Sequence, residues 1–243
     1  MIFWTPVFFI VPLEDAWKIA KMWAYSHLWL QHKICGNTYE FRGVEKIDFD
    51  ANQLIGSKHQ SAWETYTMIL FFKDPGYILK RELMYIPLFG WFMSKVKVVP
   101  VDRGKGALAL ASMAKNTKLQ MAERNRQIII YPEGTRTIAG AAVRYKFGIT
   151  YLYDDLKVPV QPVALNSGVF WGRRASLIYP GKIIMEFLDQ IQPGLSKDAF
   201  SKKLYDSVET ASNRLMLETA NSDQPTPLAL ELKDQMIAAL KPA

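Results

Sequence analysis

Gln127-Ile128-Ile129-Ile130-Tyr131-Pro132-Glu133-Gly134-Thr135-Arg136-Thr137 is the stretch on which the fold class of this chain turns. Residues 127–131 are a short apolar, β-branched run that predicts a buried strand, and Pro132 with Gly134 turns the chain at its end. In α/β proteins the turns after the carboxyl ends of such strands are where ligands bind. Arg136 offers that turn a planar fork of donors suited to a phosphate, with the backbone N–H groups of the turn beside it. A second use is open to the same guanidinium, which is to pair with Glu133 and brace the loop.

Outward from this stretch the chain reads as alternating strands and helices. Strands are expected at residues 38–42, 53–57, 76–80, 96–101, 127–131, 158–164 and 182–187, and helices at 62–72, 107–124, 149–156 and 197–220. The alternation predicts an α/β fold, with a central, mostly parallel or mixed sheet flanked by helices, and no internal repeat is present. A chain of 243 residues suits one such domain with a sizeable core. Residues 222–243 open with Asp223-Gln224-Pro225-Thr226-Pro227 and read as a hinge and a peripheral helix.

The second informative patch is Ser57-Lys58-His59-Gln60-Ser61-Ala62-Trp63-Glu64-Thr65. An imidazole can take a proton from an alcohol near neutral pH, provided a partner on its other nitrogen fixes its tautomer and ring angle. If a helix begins near Gln60 or Ser61, Glu64 lies in its first turn and can reach back to His59, as a capping carboxylate does. The alternative is that His59 merely ends a strand and Glu64 favours the helix N-terminus.

Composition bounds the partners. Thirty Lys and Arg against 23 Asp and Glu give a net charge of +7, which favours an anionic partner: phospholipid, an acidic carrier protein or nucleic acid. The single cysteine, Cys35, excludes an internal disulfide and a cysteine metal cluster, so a reducing compartment is expected. Absence of a G-x-S-x-G elbow argues against a conventional serine hydrolase, and absence of HExxH against a zinc protease. Neither a metal nor a cofactor is expected.

The N-terminal 34 residues suggest which anion. Residues 1–13 are intensely apolar but broken by Pro6 and Pro12, and shorter than the roughly 20 residues of a spanning helix. Trp17, Ala20, Trp23, Ala24 and Leu28 then recur at helical spacing with Lys18, Lys21 and His27 among them, as in a helix lying in a membrane interface. A helix docked on the core would show the same spacing.

These residues carry a family resemblance. His59 through Glu64 resembles the H-X4-D motif of the glycerolipid acyltransferases, with Glu in place of Asp, and Glu133-Gly134-Thr135-Arg136 matches their E-G-T-R motif. Between the two, Lys80-Arg81-Glu82-Leu83, Ile86-Pro87-Leu88-Phe89-Gly90-Trp91 and Val101-Asp102-Arg103 resemble the second block. Beyond them, Val158-Pro159-Val160-Gln161-Pro162-Val163-Ala164 resembles the fourth, and Asn166-Ser167-Gly168 is similar to bacterial members. Tyr145-Lys146-Phe147-Gly148 resembles a Y-K-P-G with Phe147 where Pro is usual.

The resemblance implies transfer of a fatty acyl group from acyl-ACP or acyl-CoA to the free hydroxyl of lysophosphatidic acid, giving phosphatidic acid. It assigns His59 as general base with Glu64 as its orienting acid. Arg136, Glu133, Gly134 and Thr135 are then substrate-binding, with Lys80 and Arg103 as further candidates. It also implies an N-terminal membrane-anchoring segment over residues 1–34, an acyltransferase catalytic domain over 35–221, and a tail over 222–243. The expected location is the cytoplasmic face of the inner membrane, held there as a monotopic or peripheral protein, with no nucleic-acid partner.

Two rival readings remain open at this point. Gly104-Lys105-Gly106-Ala107-Leu108-Ala109 satisfies the G-x-G-x-x-A form of a dinucleotide turn, which would make the chain an NAD(P) oxidoreductase. A basic, Trp-rich, non-enzymatic membrane-surface or nucleic-acid scaffold is the other.

Overall fold

The computed structural model describes residues 5–241, so the first four residues of the apolar start lie outside the described part. Seven strands form one sheet: β1 Asn37–Arg42, β2 Gln53–Ser57, β3 Gly76–Lys80, β4 Val99–Val101, β5 Gln127–Ile130, β6 Val160–Leu165 and β7 Gly181–Phe187. Their order is β1-β7-β6-β2-β5-β3-β4. Strands β6, β2, β5, β3 and β4 run parallel, while β7 pairs antiparallel with β6 and carries β1 with it, so the sheet is mixed. Every residue of β2, β5 and β6 is buried, as expected of central strands covered on both faces.

The helices are α1 Thr5–Ile10, α2 Leu13–Cys35, α3 Trp63–Thr67, α4 Phe89–Lys95, α5 Gly106–Glu123, α6 Phe147–Leu156, α7 Ser167–Phe170, α8 Lys197–Ala220, α9 Pro227–Glu231 and α10 Lys233–Ala239. Helix α2 uses both of its faces. Ala16, Trp17, Ala24 and Leu28 are buried in the core, while Met22, Tyr25, Trp29 and Ile34 stand exposed. No helix among the described residues is long and apolar enough to cross a membrane.

Three of the expected elements differ from their prediction. The helix predicted over 62–72 is α3 followed by a 3₁₀ turn, Met68–Leu70, because the Tyr77 hydroxyl donates to the Thr65 carbonyl at 2.9 Å and takes an acceptor that a continuing α-helix would use. The strand predicted from Val96 begins only at Val99. Lys97 adopts φ +51 and the N–H groups of Lys97 and Val98 return to Ser94 and Met93, closing the end of α4. The tail is not peripheral either. Ala229 and Met236 are buried in the main core, so α9 and α10 cover apolar surface.

One buried cation ties the β3–β5 side together. Arg126 is almost wholly buried, and its guanidinium donates to the carbonyls of Asp74 (3.0 Å), Lys97 (3.0 Å) and Val96 (2.6 Å) and to the Asp74 carboxylate (3.1 Å). Asp74 in turn accepts from the Trp17 indole at 2.7 Å, which fixes α2 to the sheet. Removing one partner of a buried pair strands the other, at a cost of about 3–5 kcal/mol. Arg126→Met is therefore expected to lower the melting temperature by about 10 °C or more, measured by thermal unfolding. A change within the experimental scatter would show that the carbonyl cage is dispensable.

Candidate active site

Three neighbouring strands deliver the site. His59 follows β2, the Tyr131–Thr137 turn follows β5, and Ser167 opens α7 directly after β6, all at the carboxyl edge of the parallel strands. His59 Nδ1 lies 3.0 Å from Glu64 Oε1, so the predicted dyad is formed. A carboxylate only accepts, which puts the shared proton on Nδ1 and, in the neutral ring, leaves the lone pair on Nε2.

The Glu64 carboxylate serves more than His59. Its Oε1 also accepts the backbone N–H of Gln60 and of Ser61, both at 2.7 Å, and its Oε2 accepts the Ser167 hydroxyl at 2.8 Å. These contacts explain why Glu serves where one more methylene could have loosened the geometry. The backbone turn at residues 60–61 and the hydroxyl from β6's end meet both oxygens and hold the carboxylate still. Gly168 sets this approach, because a Cβ there would stand 2.7 Å from the Gln60 Cβ.

The Glu133 loop grips the His59 peptide from both sides. The His59 N–H donates to Glu133 Oε1 at 2.8 Å, and the His59 carbonyl accepts the Thr137 N–H at 2.9 Å. Thr137 also donates its hydroxyl to the other Glu133 oxygen. Behind them the buried Lys58 ammonium lies 3.5 Å from Glu133 and donates to both Glu209 oxygens at 2.8 and 2.9 Å, while Tyr145 donates its hydroxyl to Glu209 at 2.7 Å. Burial pushes the Glu133 carboxyl above the usual range, and Lys58 with the Thr137 and His59 donors opposes that rise. Glu133 is thus buried against the protein rather than open to a ligand.

Arg136 differs from Glu133. Its side chain is exposed and makes no hydrogen bond or ion pair to any described residue, so the bracing pair with Glu133 does not form. Thr135 is exposed beside it, and Gly134 closes the turn through its N–H to the Tyr131 carbonyl at 2.9 Å. Lys80, exposed, ends β3, and Arg103 opens the 3₁₀ turn after β4, which brings both to the same edge of the sheet. No group of three or more His, Cys, Asp or Glu among the described residues is arranged to hold a metal.

The chain matches the acyltransferase family model over residues 38–166, more than half of its length. It belongs to the acyltransferase family. It is 35% identical over 175 residues to a 1-acyl-sn-glycerol-3-phosphate acyltransferase of Pseudomonas aeruginosa, covering 72% of this chain and 67% of that one. A chloroplastic 1-acyl-sn-glycerol-3-phosphate acyltransferase of Brassica napus is 27% identical over 148 residues, 60% of this chain and 41% of that longer protein. The fold is similar to the crystal structure of the 1-acyl-sn-glycerophosphate acyltransferase PlsC from Thermotoga maritima, at a TM-score of 0.68 and 20% identity over 86% of this chain and 85% of that one.

Membership makes this acyltransferase an enzyme rather than a scaffold, and the dinucleotide reading of Gly104-Lys105-Gly106 falls with it.

Sequence reasoning gave no role to Ser167, Lys58, Glu209 or Tyr131. Tyr131 lies flat on the imidazole, with ring centroids 3.9 Å apart and 17° between planes, and its buried hydroxyl has no partner among the described residues. A π face at this distance would stabilise a positive charge on the imidazole by about 0.5–2 kcal/mol. Tyr131→Phe is therefore expected to keep kcat and thermal stability. Tyr131→Leu should lower kcat roughly two- to thirty-fold, since a charge developing on the imidazole would lose its π face. Equal losses in both variants would assign the effect to the hydroxyl.

Proposed function

We propose that this acyltransferase moves a fatty acyl group from an acyl thioester, acyl-ACP or acyl-CoA, to the free hydroxyl of 1-acyl-sn-glycerol-3-phosphate, giving phosphatidic acid. One observation carries the reading: a carboxylate-oriented imidazole and an uncommitted guanidinium stand on adjacent loops at one edge of the sheet. The names of the relatives from Pseudomonas aeruginosa and Brassica napus support the substrate class.

In this mechanism Nε2 of His59 takes the proton of the acceptor hydroxyl as its oxygen attacks the thioester carbonyl. The tetrahedral adduct collapses, the C–S bond breaks, and the departing thiolate takes the proton back from the imidazolium. Glu64 holds the ring and offsets the transient positive charge. Arg136 binds the acceptor's phosphate as a fork, with Lys80 and Arg103 as further phosphate contacts from the ends of β3 and β4. Thr135 and Gly134 line the same turn, and Glu133 acts through the His59 backbone.

The acceptor and the product are lipids, so the enzyme works at a phospholipid surface, on the cytoplasmic face of the inner membrane and without spanning it. What supports this is the exposed face of α2, where Met22, Tyr25, Trp29 and Ile34 lie opposite the face packed in the core.

A purified assay with lysophosphatidic acid and matched acyl-ACP and acyl-CoA donors tests the reading by product identity. His59→Ala should lose roughly 10²-fold or more in turnover while staying folded. Arg136→Lys keeps the charge but not the fork, so the Michaelis constant for lysophosphatidic acid should rise about ten- to a hundred-fold with the donor's nearly unchanged. Activity retained in His59→Ala, or equal damage to both Michaelis constants in Arg136→Lys, would overturn the assigned roles.

A further inference from the structure

Between β3 and β4 the chain makes an excursion that packing does not account for. Residues 83–94, Leu-Met-Tyr-Ile-Pro-Leu-Phe-Gly-Trp-Phe-Met-Ser, contain no charge, yet much of this run faces solvent. Tyr85 is 75% exposed, Ile86 47%, Leu88 48%, Phe89 40% and Trp91 60%. Five large apolar side chains exposed within seven residues are far more than the isolated surface hydrophobics of an ordinary monomer.

The tip is built, not loose. Leu88 adopts φ +65 and ψ −56, a γ-turn closed by the Phe89 N–H to the Pro87 carbonyl at 2.7 Å, a strained arrangement for a leucine. Gly90 lets the turn close, because a Cβ there would stand 1.9 Å from the Met84 carbonyl oxygen. Leu88 stands half-exposed at this turn, and the Phe89–Lys95 helix follows it directly.

Continuity with the N-terminal segment is direct. The Phe92 ring sits 4.7 Å from that of Phe8 and 5.1 Å from that of Phe9, and the Lys95 ammonium caps the carbonyls of Phe9 (3.2 Å) and Val11 (2.8 Å) at the end of α1. On α1 itself Ile10 is 83% exposed. Lys80 and the exposed Arg81, with Glu82 the one opposing charge, precede the apolar run and Lys95 follows it. An uncharged tip carrying Tyr and Trp with cations at its base matches a bilayer interface, where the aromatic rings sit at headgroup depth and the cations meet lipid phosphate. The excursion also leaves from the carboxyl end of β3, the edge of the sheet that carries His59 and Arg136.

We infer that residues 81–95 are a second lipid-contacting element, which inserts its Leu88 apex into the bilayer beside α1 and so sets the membrane against the edge bearing the active site. This rests on the reading that the enzyme works at a phospholipid surface, and adds to it a contact outside the N-terminal segment.

The test uses the full chain with Cys35→Ser and one new cysteine at a time, Leu88→Cys, Trp29→Cys or Leu195→Cys, each labelled with the environment-sensitive fluorophore NBD. Leu195 serves as the distal site, since its N–H bonds to Tyr153 near the opposite edge of the sheet. On adding vesicles of equal parts phosphatidylcholine and phosphatidylglycerol, the label at Leu88→Cys should shift to the blue and brighten, as at Trp29→Cys, while Leu195→Cys stays unchanged. Trp91→Glu, with an unaltered melting temperature, should weaken vesicle partition about tenfold or more. A shift at Trp29→Cys but not at Leu88→Cys would overturn this inference and leave the membrane reading standing. No shift at either label would remove both. A blue shift at Leu88→Cys that grows with protein concentration in the absence of vesicles would assign the patch to self-association and overturn the inference.

Discussion

The architecture of the site hangs on one carboxylate. Glu64 is fully buried and receives four donors: the His59 ring, two successive backbone N–H groups and the Ser167 hydroxyl. A single side chain thereby fixes the imidazole angle, shapes the turn from β2 into α3, and links that turn to the end of β6. Burying such a group unsatisfied would be costly, so the fold must supply all these partners at once. The central strand order supplies them, because β2 lies between β5 and β6 and every contributing loop leaves from the same edge.

The other side of His59 obeys the same logic. Glu133 and Thr137 hold its peptide, Tyr131 covers its ring, and Lys58 with Glu209 and Tyr145 backs Glu133 from α8 and the turn before α6. The imidazole is therefore immobilised at its backbone, its ring face and one nitrogen. What stays open is Nε2, and across the loop the Arg136 guanidinium, which makes no bond to any described residue. The carboxylates that hold His59 are buried and hydrogen-bonded, and the group proposed to bind substrate is exposed.

What could be read from the sequence was what is local. His59 and Glu64 are five residues apart across a strand-to-helix turn, and Arg136 follows a β-branched run ended by Pro132 and Gly134, so period and turn chemistry found both. The strands and the long helix Lys197–Ala220 were legible for the same reason. Ser167 lies 103 residues from Glu64, and Glu209 lies 151 from Lys58, separations over which only the folded sheet brings groups together. Helix α4 was missed because its uncharged apolar run lacks the polar face of an ordinary surface helix, and that same oddity makes the segment informative once it is seen exposed. Whether Arg136 braces Glu133 could not be read from spacing, since the answer lay in what else had already taken the Glu133 oxygens.

The central claim is that Glu64 sets the tautomer of His59 and leaves Nε2 as the base. Nitrogen-15 NMR of histidine-labelled protein measures this directly, with His59 assigned against His27 and His32 by its loss in His59→Ala. The account predicts that neutral His59 carries its proton on Nδ1 and that Glu64→Gln perturbs this preference. A neutral His59 protonated on Nε2 would contradict it, for the imidazole could not then accept a proton from the acceptor hydroxyl at that nitrogen.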